Sequence, residues 1–128
     1  MKGAYILELF LSKDTKIKIG KLGKLLFNKG HYYYCGSAQN NLDKRIERHK
    51  RKKKLIHWHI DYLTINKNFK VISAKKYETN QKEKECQLAK ELLKKYLPIN
   101  NFGSSDCKCI SHLFFKSILK DSGFKKKI

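Results

Sequence analysis

The sequence predicts a small mixed α/β domain of the α+β kind, with a mainly antiparallel central sheet flanked by helices. Two observations point to it. Apolar runs punctuated by glycine crowd residues 4–36, and apolar positions at helical spacing with capping residues recur across residues 41–97. A third sets the scale: 128 residues, 41% of them hydrophobic and 12% aromatic, suffice for one core but not two, so residues 1–128 are expected to form one domain.

Residues 4–11 (AYILELFL), a stretch around Ile17, Ile19 and Leu22 to Phe27, and residues 31–36 (HYYYCG) are separated by glycines at 20, 23 and 30, so they read as a three-stranded antiparallel meander. Gln39, Asn40 and Asn41 offer an N-cap, Asp43 suits a first turn, and Leu42 and Ile46 stand four apart, which predicts a helix over 41–53. Residues 55–65 (LIHWHIDYLTI) fit two patterns: Trp58, Ile60 and Tyr62 alternate as in a strand, while Ile56, Ile60 and Leu63 suit a short helix. Val71 and Ile72 mark 69–78 as a strand. Asn80 with Glu83 resembles a capping box and opens a helix expected to run to the only proline, Pro98. Beyond it, 103–106 reads as loop, 109–115 as an edge strand or short helix, and 124–128 as a basic, fraying tail.

Thirty Lys and Arg against eleven Asp and Glu leave a net charge of +19, which attracts polyanions through counterion release. Nucleic acid is the leading partner, with DNA placed ahead of RNA. No apolar run approaches the roughly 20 residues of a membrane span, and the start of the chain shows no small-residue cleavage pattern, so a cytoplasmic protein without a membrane partner is expected. The four cysteines, Cys35, Cys86, Cys107 and Cys109, are scattered, and free thiols are the expected state.

All three arginines, Arg45, Arg48 and Arg51, fall on the first predicted helix, where planar guanidinium forks match phosphate. His49 stands one turn after Arg45, and Lys52 and Lys53 extend the basic run. Arg48 and Arg51 equally suit a solvated helix face. On the later helix, Leu88, Ala89, Leu92, Leu93, Tyr96 and Leu97 project in one band around Glu85. A carboxylate inside an apolar stripe calls for a partner or a metal, although a first-turn position at the helix dipole also accommodates it. Tyr32 and Tyr34 share one strand face and Tyr33 the other. Cys107, Cys109 and His112, with His57 and His59 elsewhere, lack the spacing of a zinc knuckle, so zinc is not expected and buried thiols with a packed histidine are. The Trp58 and Tyr62 rings could stack on bases, although Trp58, as the sole tryptophan, is expected to anchor the core.

Gly3-Ala4-Tyr5, then Tyr34-Cys35-Gly36-Ser37, then Asn41-Leu42-Asp43-Lys44-Arg45 with His49, and later Glu85, resemble the GIY-YIG nuclease superfamily. KLGKLLF, YYCGSA, RIERH, HWHIDYL, ECQLA and SSDCKCISHL together resemble a small branch of it that is sometimes attached to DNA-repair glycosylases of the endonuclease III type. The resemblance implies a metal-dependent endonuclease cleaving DNA phosphodiesters, with a non-catalytic nucleic-acid-binding module on the same fold as the alternative. It implies Tyr5, Tyr34, Arg45, His49 and Glu85 as catalytic residues and Glu85 as the ligand of one Mg²⁺ or Mn²⁺. Either tyrosine, its pKa lowered by the metal and the basic field, would handle the attacking water, and His49 would relay the proton or brace a phosphate. Asn100 or Asn101 would match a late asparagine. The chain departs from the pattern at Ala4 and Cys35, and its longer gap between the tyrosines implies an added strand between Gly20 and Gly30. Ser37 stands where many relatives have lysine, leaving a phosphate-binding charge to Lys24 or a neighbour. The nucleic-acid contacts are accordingly expected from Lys24, Ser37, Arg48, Arg51, Lys52, Lys53 and Asn100.

Overall fold

A computed structural model describes residues 1–104 and 108–116. The expected tail at 124–128, part of the 103–106 loop, and Cys107 lie outside the described residues. The fold is mixed α+β. Its central sheet contains β1 (Gly3–Leu11), β4 (Gly30–Ala38), β5 (Phe69–Glu78), β6 (Leu97–Pro98) and β7 (Leu113–Phe115), in the order β5-β1-β4-β7-β6. All its pairings are antiparallel.

The expected meander does not form. β1 pairs along its whole length with β4, from Gly3 opposite Ala38 to Leu11 opposite Gly30, and its other edge is taken by β5. With both edges of β1 filled, β2 (Thr15–Ile19) has no place beside it. It pairs instead with β3 (Gly23–Phe27), the strand expected between Gly20 and Gly30, in a separate two-stranded hairpin. That excursion is held by burial: Ile17, Ile19 and Phe27 join Leu7, Leu9, Leu11, Tyr32 and Phe69 in one core, with Phe27, Tyr32 and Phe69 meeting edge to face.

Helix α1 (Leu42–Lys50) is capped by Asn41, whose side chain accepts the Lys44 amide at 3.0 Å, and buries Leu42, Ile46 and His49. It ends at Lys50, three residues short of the expected 41–53 span; at Arg51 the backbone turns extended, and the Lys54 ammonium donates to the carbonyls of Arg48 and His49. Residues 59–64 form helix α2 (His59–Thr64), which excludes the strand reading of 55–65. Asp61 decides it: its carboxylate accepts the amides of His57 and Trp58, satisfying donors at the helix start.

Helix α3 (Lys84–Leu93) starts at N-cap Glu83 with no side-chain cap, so the Asn80–Glu83 box is absent. Nor does the helix reach Pro98. The residue before a proline is pushed out of the helical region, and Leu97 and Pro98 instead pair with β7. Tyr96 stacks on Tyr33 at 4.7 Å, and Leu97 is exposed rather than part of the apolar stripe. The stripe itself is real: Leu88, Ala89 and Leu92 bury against Ala4, Cys35 and Phe114. Residues 113–115 are a strand, but an interior one, between β4 and β6. No described helix is long and apolar enough to cross a membrane.

Candidate active site

The pairing of β1 with β4 sets the geometry. In the β1–β4 register Tyr5 faces Gly36, Ala4 faces Ser37 and Leu7 faces Tyr34. Alternation puts Tyr5 and Leu7 on one face of β1, and Tyr34 joins them on that face of β4. Gly36 is required there, because a Cβ would overlap the Tyr5 ring. Helix α1 packs over the same face and turns His49 inward, so that Tyr5 Oη lies 2.6 Å from His49 Nε2 and the rings of Tyr34 and His49 meet at 6.2 Å.

Tyr5, Tyr34, Gly36, Ser37, Gln39, Arg45, Trp58, Glu85 and Gly103 line one cleft of about 410 Å³. Four of the five residues expected to be catalytic thus reach a common wall, and His49 lies buried behind Tyr5. Arg45 Nη1 donates to the Ser37 carbonyl at 2.7 Å, and its guanidinium lies 4.4 Å from the centre of the Trp58 ring. Glu85 Oε2 lies 2.7 Å from His112 Nδ1, with the Glu85 side chain 22% exposed and that of His112 3%.

Burial would raise the Glu85 carboxyl, but hydrogen bonding from His112 and Ser37 and the charges of His112 and Arg45 outweigh it, holding the group below its ordinary value. It is therefore an anionic oxygen donor in a cleft wall. A single carboxylate of this kind suits a hard divalent cation that completes its shell with water and phosphate oxygens. Burial pushes Tyr5 well above the usual phenol range despite the opposing charge of Arg45, and burial raises Tyr34 as well. Burial lowers His49 to about 3, helped by the charges of Lys54, Arg45 and Arg48, so its imidazole is neutral.

The chain belongs to the DUF123 family. That family, described as a domain of unknown function, matches residues 4–125. No curated protein and no solved structure gives a significant match. The DUF123 match spans every residue of the cleft wall, Tyr5 to Gly103.

Other expected contacts sit elsewhere in this DUF123 chain. Arg48 is engaged internally: its guanidinium grips the buried Asp61 carboxylate through two bonds of 2.9 and 3.0 Å and donates to the Leu55 carbonyl. Lys52 donates to the carbonyls of Asn66 and Phe69. Arg51, Lys53 and Asn100 are exposed and do not line the cleft. Lys24 is exposed on the β2–β3 hairpin opposite Lys18, also outside the cleft wall, so Arg45 is the only cation lining the cleft among the described residues. Trp58 is 38% exposed and packs between Arg45 and Arg48 at the cleft edge rather than in the core.

Sequence reasoning missed two supports. His112 holds Glu85 from a position just before β7, and no local pattern links residues so far apart. His59 Nδ1 accepts the Gly103 amide at 2.8 Å, fixing a loop residue with φ +69° whose Cβ position lies 3.3 Å from the Tyr34 ring. A glycine after Phe102 was the available signal for that turn.

Proposed function

We propose that this chain is a metal-dependent endonuclease of the GIY-YIG type that hydrolyses phosphodiester bonds in DNA. One observation carries the reading: Tyr5, Tyr34, Arg45 and Glu85, drawn from two strands and two helices, converge on a single cleft with His49 hydrogen-bonded to Tyr5. The net charge of +19 supports a polyanionic substrate.

Glu85 would hold the cation, which when bound supplies Lewis-acid polarisation of the phosphate and a more acidic water. Arg45, fixed by the Ser37 carbonyl and the Trp58 ring, would meet the charge that builds on phosphate oxygens as the attacking oxygen bonds to phosphorus and the ester oxygen leaves. Tyr5 is a neutral phenol bonded to a neutral imidazole, so it acts as a relay. Its oxygen takes the proton of the attacking water while its own proton passes to His49 Nε2. Tyr34 and Trp58 supply walls that orient the sugar-phosphate chain. Association with a DNA-repair glycosylase would deliver such a nuclease to damaged duplex.

The test is cleavage of supercoiled, branched and single-stranded DNA, and of structured RNA, by the full chain in Mg²⁺ or Mn²⁺. Cleavage should vanish with chelator and in Glu85→Ala, and should fall about 10²- to 10³-fold in Arg45→Ala. Unchanged cleavage in Glu85→Ala would overturn the mechanism. Tight, salt-sensitive binding without cutting under any condition would replace it with a nucleic-acid-binding module.

A further inference from the structure

Beside the cleft, but not lining it, Cys86, Cys109 and His112 converge. One ligand atom from each lies within 4.8 Å of the other two. Their origins are far apart in the chain. Cys86 sits in the first turn of α3, next to Glu85, while Cys109 and His112 come from the segment entering β7. The absence of a zinc knuckle in the sequence rested on the spacing of Cys107 and Cys109, and local spacing cannot see a thiol delivered by a helix more than 20 residues away.

We infer that Cys86, Cys109 and His112 form a binding site for a thiophilic divalent cation, with zinc as the metal that this donor set selects. Two sulfurs and an imidazole are soft and borderline donors, poorly suited to Mg²⁺ or Mn²⁺ and well suited to zinc. Around a tetrahedral zinc, with bonds of about 2.3 Å to sulfur and 2.0–2.1 Å to nitrogen, the donors would stand roughly 3.5–3.8 Å apart. The present separations, at most 4.8 Å, therefore need about an ångström of closure, within reach of side-chain adjustment. The site is also built rather than open surface: His112 is 3% exposed and both thiols are half-buried.

The neighbouring carboxylate gives the site its consequence. His112 Nδ1 lies 2.7 Å from Glu85 Oε2, the kind of carboxylate contact that fixes and orients metal-bound histidines. The ion would cross-link α3 to the strand-entry segment and so hold Glu85 at the cleft wall. Binding would release the protons of two thiols. This inference does not depend on the nuclease reading, because its assay detects metal and not cleavage.

The full chain, reduced and freed of metal, is titrated with Co²⁺ and then Zn²⁺. Wild-type protein should take up one ion per chain and develop the visible bands of tetrahedral cobalt with thiolate-to-cobalt charge transfer, which zinc then removes. Cys86→Ser and Cys109→Ser should each lose most of the charge-transfer intensity, and Glu85→Gln should weaken binding 10- to 100-fold as an outer partner of the histidine. Circular dichroism of each variant separates lost binding from lost folding, and the wild-type spectrum is decisive even where a variant fails to fold. No thiolate-to-cobalt band in reduced wild type would overturn the site, as would an unaltered band in Cys86→Ser. A Cys86–Cys109 disulfide that persists in reductant and excludes metal would overturn it too.

Discussion

Tyr5 Oη and His49 Nε2 stand 2.6 Å apart, and both residues are almost fully buried. With burial raising the phenol and lowering the imidazole, the proton rests on Tyr5 and His49 accepts it. His49 Nδ1 is left without a hydrogen-bond partner among the described residues. Such a pair is poorly suited to holding a phenolate at rest. Tyr5→Phe should therefore lower cleavage about 10²- to 10⁴-fold. The orphaned imidazole should also cost about 1–3 kcal/mol of stability, read from equilibrium denaturation.

The same burial makes folding pH-dependent. The folded-state pKa of His49 is about 3, below the ordinary 6.5, so the folded form binds fewer protons than the unfolded chain between those values. The stability attached to this group is complete above pH 6.5 and is lost progressively as pH falls towards 3, on the order of 5 kcal/mol in all. Denaturation midpoints measured across that range should decline, and the decline should be much shallower in His49→Gln. An equally steep decline in His49→Gln would show that His49 is not the group responsible.

Arg48 and Asp61 form a two-pronged ion pair that joins α1 to α2. Burial raises the Asp61 carboxyl, but the Arg48 guanidinium and the amides of His57 and Trp58 outweigh it and hold it below 3.8. Arg48→Met leaves that carboxylate buried without its cation and should destabilise the protein by about 3–5 kcal/mol. Because Trp58 stacks on Arg48 as well as Arg45, the variant should also shift tryptophan fluorescence in the folded state. A stability change below about 1 kcal/mol, the level of an exposed ion pair, would assign Arg48 to the nucleic acid instead.

At Gly36 the added methyl of Gly36→Ala has nowhere to go except into the Tyr5 ring. The ring must swing away from His49, so under the proposed function cleavage should fall to the level of Tyr5→Phe, while any charge-driven DNA binding should stay within a few-fold of wild type. Filter binding and nicking assays on the same preparation would separate the two, and full nicking activity in Gly36→Ala would show that the Tyr5 position is not critical.

Much of the site was written in local pattern. Asn41 as a cap, Leu42 and Ile46 as the buried pair, and the apolar stripe that carries Glu85 depend on spacing along one helix, which residue order determines directly. Strand alternation likewise placed Tyr32 and Tyr34 on one face. Tertiary structure decided what those residues touch. Whether β1 pairs with its neighbour in sequence or with β4 depends on which edges are free, and β5 and β4 fill both. Whether Arg48 reaches DNA or Asp61 depends on α2 arriving beside α1, and whether Glu85 meets His112 depends on β7 entering the sheet next to β4. The proton on Tyr5 obeys the same logic. A phenol's pKa is set by the solvent it loses and the charges it faces, and only the folded chain removes that solvent and brings Arg45 and His49 to it.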